Sequence, residues 1–222
     1  MLITLGNYRI SCFLPPTRER GRVVYLHMTE GSAEAVIKAA GTQDFVLVVI
    51  EGVDWIRELS PWKHEKVFAK GEDFAGGADE YLTVLTNQLI PAAEEAFQLL
   101  PEKRYLVGYS LSGLFAVYAM YHTSLFDGIA SISGSLWYDG FYRYVETHTV
   151  RRNPDKLYFS LGDKEAASAR GIMQTVFVRT AQIVEKYQHD GINTVFCLNK
   201  GGHFAHVPER IGKGIGWLLN ET

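Results

Sequence analysis

The chain has 222 residues, a formal net charge of −3, hydrophobic residues at 47% and charged residues at 21%. A chain of this length buries roughly 70% of its unfolded surface in one domain, so no disulfide scaffold is needed, and the composition excludes long disorder, a collagen-like chain and a coiled coil. The weak negative charge provides no basic footprint for nucleic acid or an anionic membrane, which leaves a small, locally recognised molecule as the expected partner.

The N-terminal stretch MLITLGNYRISCFLPP lacks a basic start, an apolar segment of signal-peptide length and a small-residue cleavage site. No run approaches the ~18 apolar residues of a membrane span, and the expectation is a cytoplasmic protein. Strands are expected over residues 8–14, 22–28, 45–50, 105–109, 129–133, 156–161 and 194–198. The middle ones (FVLVVI, YLVG, LYFSL) are near-continuously apolar, as parallel strands covered on both faces must be, whereas the first alternates like an antiparallel edge.

Helices are expected over 32–40, 79–99, 112–121, 169–189 and 208–220. In the second, Tyr81, Leu82, Leu85, Leu89 and Ile90 recur at helical spacing and Pro91 should bend it; in the fourth, Val176, Phe177, Ala181, Val184 and Tyr187 form a similar stripe. Such stripes pack helices onto a sheet and carry no chemistry. The alternation predicts an α/β fold with one domain over 1–222, a mostly parallel sheet of about seven or eight strands, and helices on both faces. Residues 51–78 show no period. They follow a buried strand, so they should lie over the carboxyl edge of the sheet, where ligands bind in open α/β folds.

The segment YLVGYSLSGLF, Tyr105 to Phe115, reads as strand, tight turn and helix, the context of a nucleophile elbow with Ser110 at its tip. Such a turn needs small residues two positions to either side of the serine. Gly108 satisfies one, and Ser112 stands where the strict pattern has glycine, required there for its size rather than its hydroxyl. A serine hydroxyl is a poor nucleophile alone, so the motif demands a histidine base and an acid, in the order Ser, acid, His.

His203 in LNKGGHF follows the last strand, with Gly201 and Gly202 letting the loop turn toward Ser110; His206 is the nearest rival. The other histidines, His27, His64, His122, His148 and His189, read as surface or core residues. The acid should follow the strand 156–161, where LGDKE offers both Asp163 and Glu165. Oxyanion donors must be backbone N–H groups, one from Leu111 and a second from Met28 or Thr29 in the loop after the strand segment Val23 to His27. No metal site is expected. Cys12 and Cys197 cannot form paired cysteine clusters and read as two reduced thiols, and His203 and His206 have no third ligand at a matching spacing.

With these features in place the chain resembles the α/β-hydrolase superfamily, and within it the esterase group that includes enterochelin (siderophore) esterases. The likeness is carried by IRELSPW, GGADEYLTVLTNQLIP, GYSLSGLFAVYA, SISGSLWYDG, LGDKE and GGHF, spread over nearly the whole chain. It implies Ser110 as nucleophile, His203 as base and Glu165 at the acid position. It also implies no cofactor, a small-molecule ester substrate and, with a short spacer from Ser133 to Lys156, no separate lid domain. The His-Gly that often ends the oxyanion strand in that group is His27-Met28 here. A siderophore-like substrate presents acidic aromatic acyl groups, for which Arg57 and Trp137 are the expected binding residues by charge and stacking. The competing class is a non-catalytic binding protein of the same fold; its signature would be a lost triad, and here all three positions are filled. The oligomeric state is not set by any of these features.

Overall fold

The computed structural model describes residues 1–16, 21–28, 33–67 and 70–220. In chain order these form β1 (Leu2–Leu5), β2 (Tyr8–Phe13), β3 (Arg22–His27), α1 (Ala33–Ala39), β4 (Val46–Glu51), α2 (Trp55–Glu58), β5 (Lys63–His64), β6 (Phe74–Ala75), α3 (Ala78–Val84) and α4 (Ile90–Ala96). There follow β7 (Lys103–Tyr109), α5 (Leu111–Ala119), β8 (Gly128–Ile132), α6 (Phe141–Thr147), β9 (Lys156–Gly162), α7 (Glu165–Ser168), α8 (Val176–His189), β10 (Thr194–Asn199) and α9 (Val207–Leu219).

Eight strands form one sheet in the order β1-β2-β4-β3-β7-β8-β9-β10, and β5 and β6 make a separate two-stranded hairpin. From β4 to β10 every pairing is parallel, while β1 and β2 extend the sheet antiparallel. One face is covered by α1 and α9 through Val36, Ile211, Ile215 and Leu218, and the other by α3, α4, α5 and α8 through residues such as Leu82, Ile90, Phe115 and Ile183. Burial on both faces is why β3, β4 and β7 to β9 needed continuous apolar runs.

Several expectations change. The strand at Tyr8 is antiparallel but not the edge, because a turn at Gly6 (φ 59°) folds the short, exposed β1 against it. The helix through Pro91 is divided: a π-helical turn, Leu85–Leu89, precedes α4 and accommodates the missing proline N–H. The helix expected from residue 169 begins at Val176, after α7 and a 3₁₀ turn over Gly171–Thr175, since Gly171 has φ 58°. Phe177 is exposed, and Thr180 and Ile183 take its place in the buried stripe. Residues 51–78 hold α2 and the β5–β6 hairpin. The spacer after Ser133 carries only α6 among the described residues, so there is no lid domain. Among the described residues no helix is long and apolar enough to cross a membrane.

Candidate active site

The parallel strands end at one edge of the sheet, where the end of β3 and the loops leaving β7, β8, β9 and β10 converge. At the end of β7 the chain turns straight into α5, placing Ser110 at φ 58° and ψ −120°, a backbone conformation that costs on the order of 1–3 kcal/mol for a residue with a side chain. Close approach makes the turn possible: a Cβ on Gly108 would sit 2.0 Å from the Ser112 carbonyl oxygen. The Ser112 hydroxyl has a role beyond small size. β3 pairs with β7 only as far as Val107, so the Tyr109 N–H has no strand partner, and Ser112 Oγ accepts it at 2.8 Å while donating to the Tyr109 carbonyl at 2.8 Å. A buried N–H left without such an acceptor would destabilise the turn.

Ser110 Oγ lies 3.0 Å from His203 Nε2, and His203 Nδ1 lies 3.0 Å from Glu165 Oε2. The histidine arrives on the loop after β10. That loop passes so near the end of β9 that a Cβ on Gly162 would lie 2.3 Å from the Gly201 carbonyl oxygen. Of the two carboxylates after β9, Glu165 at the start of α7 faces the imidazole. Asp163 is exposed and accepts the Gly201 N–H at 2.9 Å, holding the histidine loop instead. His206 is exposed, has φ 55° at the head of α9 and does not line the cleft.

Glu165 is buried, which by itself would raise its pKa, but hydrogen bonds outweigh burial and hold it down at about 2. Its Oε2 receives His203, while Oε1 receives the Ser133 hydroxyl at 2.5 Å, the Gly162 N–H at 2.5 Å and Arg210 Nη2 at 2.8 Å. The carboxyl is therefore ionised at neutral pH. Burial pushes the Tyr109 phenol up to about 12, so it stays a neutral donor, and it bonds the His203 carbonyl.

Around this chain of groups is a cleft of about 1050 Å³, lined mostly by apolar side chains that include Trp55, Trp137, Met173 and Phe204. Leu111 opens α5, so its N–H has no carbonyl one turn earlier and is available to an oxyanion beside Ser110. Met28 lines the cleft, but its N–H is directed to the Ile50 carbonyl of β4 at 3.4 Å, a long bond on the side away from Ser110; the alternative, Thr29, lies outside the described residues. Trp137 is buried at the cleft wall, whereas Arg57 is exposed on α2 and is not among the described residues that line the cleft. Trp55, two residues earlier on the same turn of helix, faces the cleft in its place. His27, read from the sequence as a surface or core residue, also lines the cleft. Burial lowers its pKa to about 3, so it is a neutral ring at physiological pH, with Nε2 2.7 Å from the Tyr81 hydroxyl.

The family model described as "Putative esterase" matches residues 6–206. The uncharacterized protein YbbA of Bacillus subtilis (strain 168) is 26% identical over 236 residues, covering 98% of this chain and 94% of the relative. Among solved structures, the siderophore hydrolase EstB from Aspergillus nidulans superposes with a TM-score of 0.77 at 18% identity, covering 98% of this chain and 94% of that one. An IroE-like serine hydrolase from Shewanella oneidensis gives 0.75 at 20% identity, covering 96% and 75%. At these identities the structural likeness establishes the fold.

Proposed function

Since the chain belongs to the putative esterase family of the α/β-hydrolase superfamily, we propose that it is a serine esterase that cleaves carboxylic esters through an acyl-enzyme on Ser110. The observation that carries this reading is the Ser110–His203–Glu165 chain, with 3.0 Å at each link and the serine raised on a strained elbow. In the first half-reaction Ser110 Oγ attacks the ester carbonyl as His203 Nε2 takes its proton, and the Leu111 N–H receives the negative oxygen. The tetrahedral centre then collapses, and the alcohol leaves with the proton held on His203. Water enters by the same route in reverse roles, its proton passing to His203, and the carboxylic acid departs as Ser110 is reprotonated. Glu165 holds Nδ1 throughout, so Nε2 is the nitrogen presented to the serine.

For the substrate, the likeness to hydrolases named for siderophores supports an ester of that kind, with an aromatic acyl group against Trp137 and Trp55. The test has two stages. A fluorophosphonate probe, which needs an activated serine and no knowledge of substrate, should label the wild type and leave Ser110→Ala unlabelled. Equal labelling of that variant would remove Ser110 from the mechanism. Hydrolysis of a tris-catecholate lactone is then compared with acetyl, butyryl and feruloyl esters at matched concentration; a lactone cleaved no faster than the simple esters would leave a general carboxylesterase.

A further inference from the structure

Arg210 is 1% exposed and is the largest fully buried side chain among the described residues. It projects from α9, whose other buried positions include Ile211, Ile215 and Leu218, into the space behind the site. Burying a guanidinium is costly unless it is paired, and a residue retained only for packing would be better replaced by an apolar one of similar volume. The fork is aimed at one place. Nη2 donates to Glu165 Oε1 at 2.8 Å and also bonds the Ser133 hydroxyl, and Nη1 lies 3.4 Å from the carbonyl oxygens of Gly202 and His203. Nε has no acceptor among the described residues, a further cost that a packing role does not explain.

The consequence lies in how the Glu165 carboxylate is divided. Among the described residues the three anchoring donors, Arg210, Ser133 and the Gly162 N–H, meet Oε1, and Oε2 is left to His203. A carboxylate anchored through one oxygen cannot turn about its Cγ–Cδ bond, so the other oxygen keeps a fixed direction toward Nδ1. The positive fork also balances the buried negative charge, so that the acid need not draw a proton onto the imidazole before the serine gives one up. We propose that Arg210 is a positioning residue for the esterase reaction, acting through Glu165 to set the direction of the acid toward His203. This rests on the serine-esterase reading above.

The test is a double-mutant cycle with p-nitrophenyl acetate, reading kcat, KM and thermal midpoint. Arg210→Lys keeps the charge, but one ammonium on a shorter side chain cannot replace both Nη2, on Glu165 and Ser133, and Nη1, on the Gly202 and His203 carbonyls. It should lower kcat about 10-fold, with KM within about 2-fold of wild type, because the effect is on the chemical step. In a Glu165→Gln background the same substitution should change kcat by less than about 2-fold, since the group through which it acts is gone. Arg210→Met alone leaves Glu165 buried without its cation and is open to misfolding, so the neutral pair Glu165→Gln/Arg210→Met is measured beside it and should match Glu165→Gln in kcat. Wild-type kcat in Arg210→Lys overturns the inference, as does an equal loss in both backgrounds. A wild type that neither hydrolyses the ester nor takes the fluorophosphonate label would instead refute the esterase reading, and the positioning role with it.

Discussion

Replacing Glu165 by glutamine should change how stability depends on pH as well as how fast the site turns over. The folded protein holds this carboxyl at about 2, against an ordinary value of 4.5, because its hydrogen-bond donors outweigh burial. A group whose pKa is depressed on folding contributes stability that is fully present above its unfolded pKa and is lost as the pH falls through the folded one. At about 1.4 kcal/mol per pH unit the difference is worth at most about 3.5 kcal/mol, an upper bound because solvent at the cleft rim screens part of it. Glutamine cannot ionise and leaves Arg210 buried without its counter-charge, a loss of similar size, about 3–5 kcal/mol for a broken buried pair. Urea unfolding at pH 7 should therefore show the variant about 3 kcal/mol less stable than wild type. The gap should narrow by about 2 kcal/mol by pH 3 and nearly close at pH 2, where the wild-type carboxyl becomes the neutral group that glutamine imitates. Glu94 and Asp127, whose pKa values are also lowered by arginine partners and backbone or side-chain donors once burial is offset, are common to both proteins and cancel in the difference. A gap that stays constant from pH 7 to pH 3 would refute the account of Glu165 as an ionised, anchored acid.

His203→Ala should reduce ester turnover by on the order of 10³-fold or more, while His206→Ala should stay within about 3-fold of wild type; steady-state kinetics that reversed this ranking would move the base along the loop. Gly108→Ala forces a methyl group to 2.0 Å from the Ser112 carbonyl oxygen and should cost at least about 3 kcal/mol, roughly 6–12 °C in Tm by calorimetry. Ser112→Ala leaves the Tyr109 N–H buried without its acceptor and should cost about 1–3 kcal/mol, where a residue needed only for its size would cost nothing. On α2, Trp55→Ala should raise KM for an aryl ester several-fold and Arg57→Ala should change it less than about 2-fold, because only the tryptophan faces the cleft. The opposite split would return the binding role to the arginine.

What the sequence by itself determined is what short stretches of chain decide. The elbow is one of these: Gly108, Ser110 and Ser112 lie within five residues, and the steric demand that selects them acts across a single turn. The parallel strands are another, since burial on both faces writes a continuous apolar run into each. The GGHF loop is legible for the same reason, as two glycines after a strand are local cues. Choices between neighbours of the same chemical type belong to the tertiary structure. Asp163 and Glu165 both follow β9, and their different duties are set by His203, 38 residues from Glu165, and by Arg210, 45 residues away. Arg210 carries no mark in the sequence that separates it from an ordinary helix cation, because its partners come from the ends of β8, β9 and β10. Arg57 and Trp55 lie in a stretch without hydrophobic period, so the phase of α2 that turns one ring into the cleft and the guanidinium outward was fixed by packing. Oxyanion geometry is decided the same way. Whether the Met28 N–H is free depends on where β3 stops pairing with β4, and that is a property of the register between two strands rather than of either segment alone.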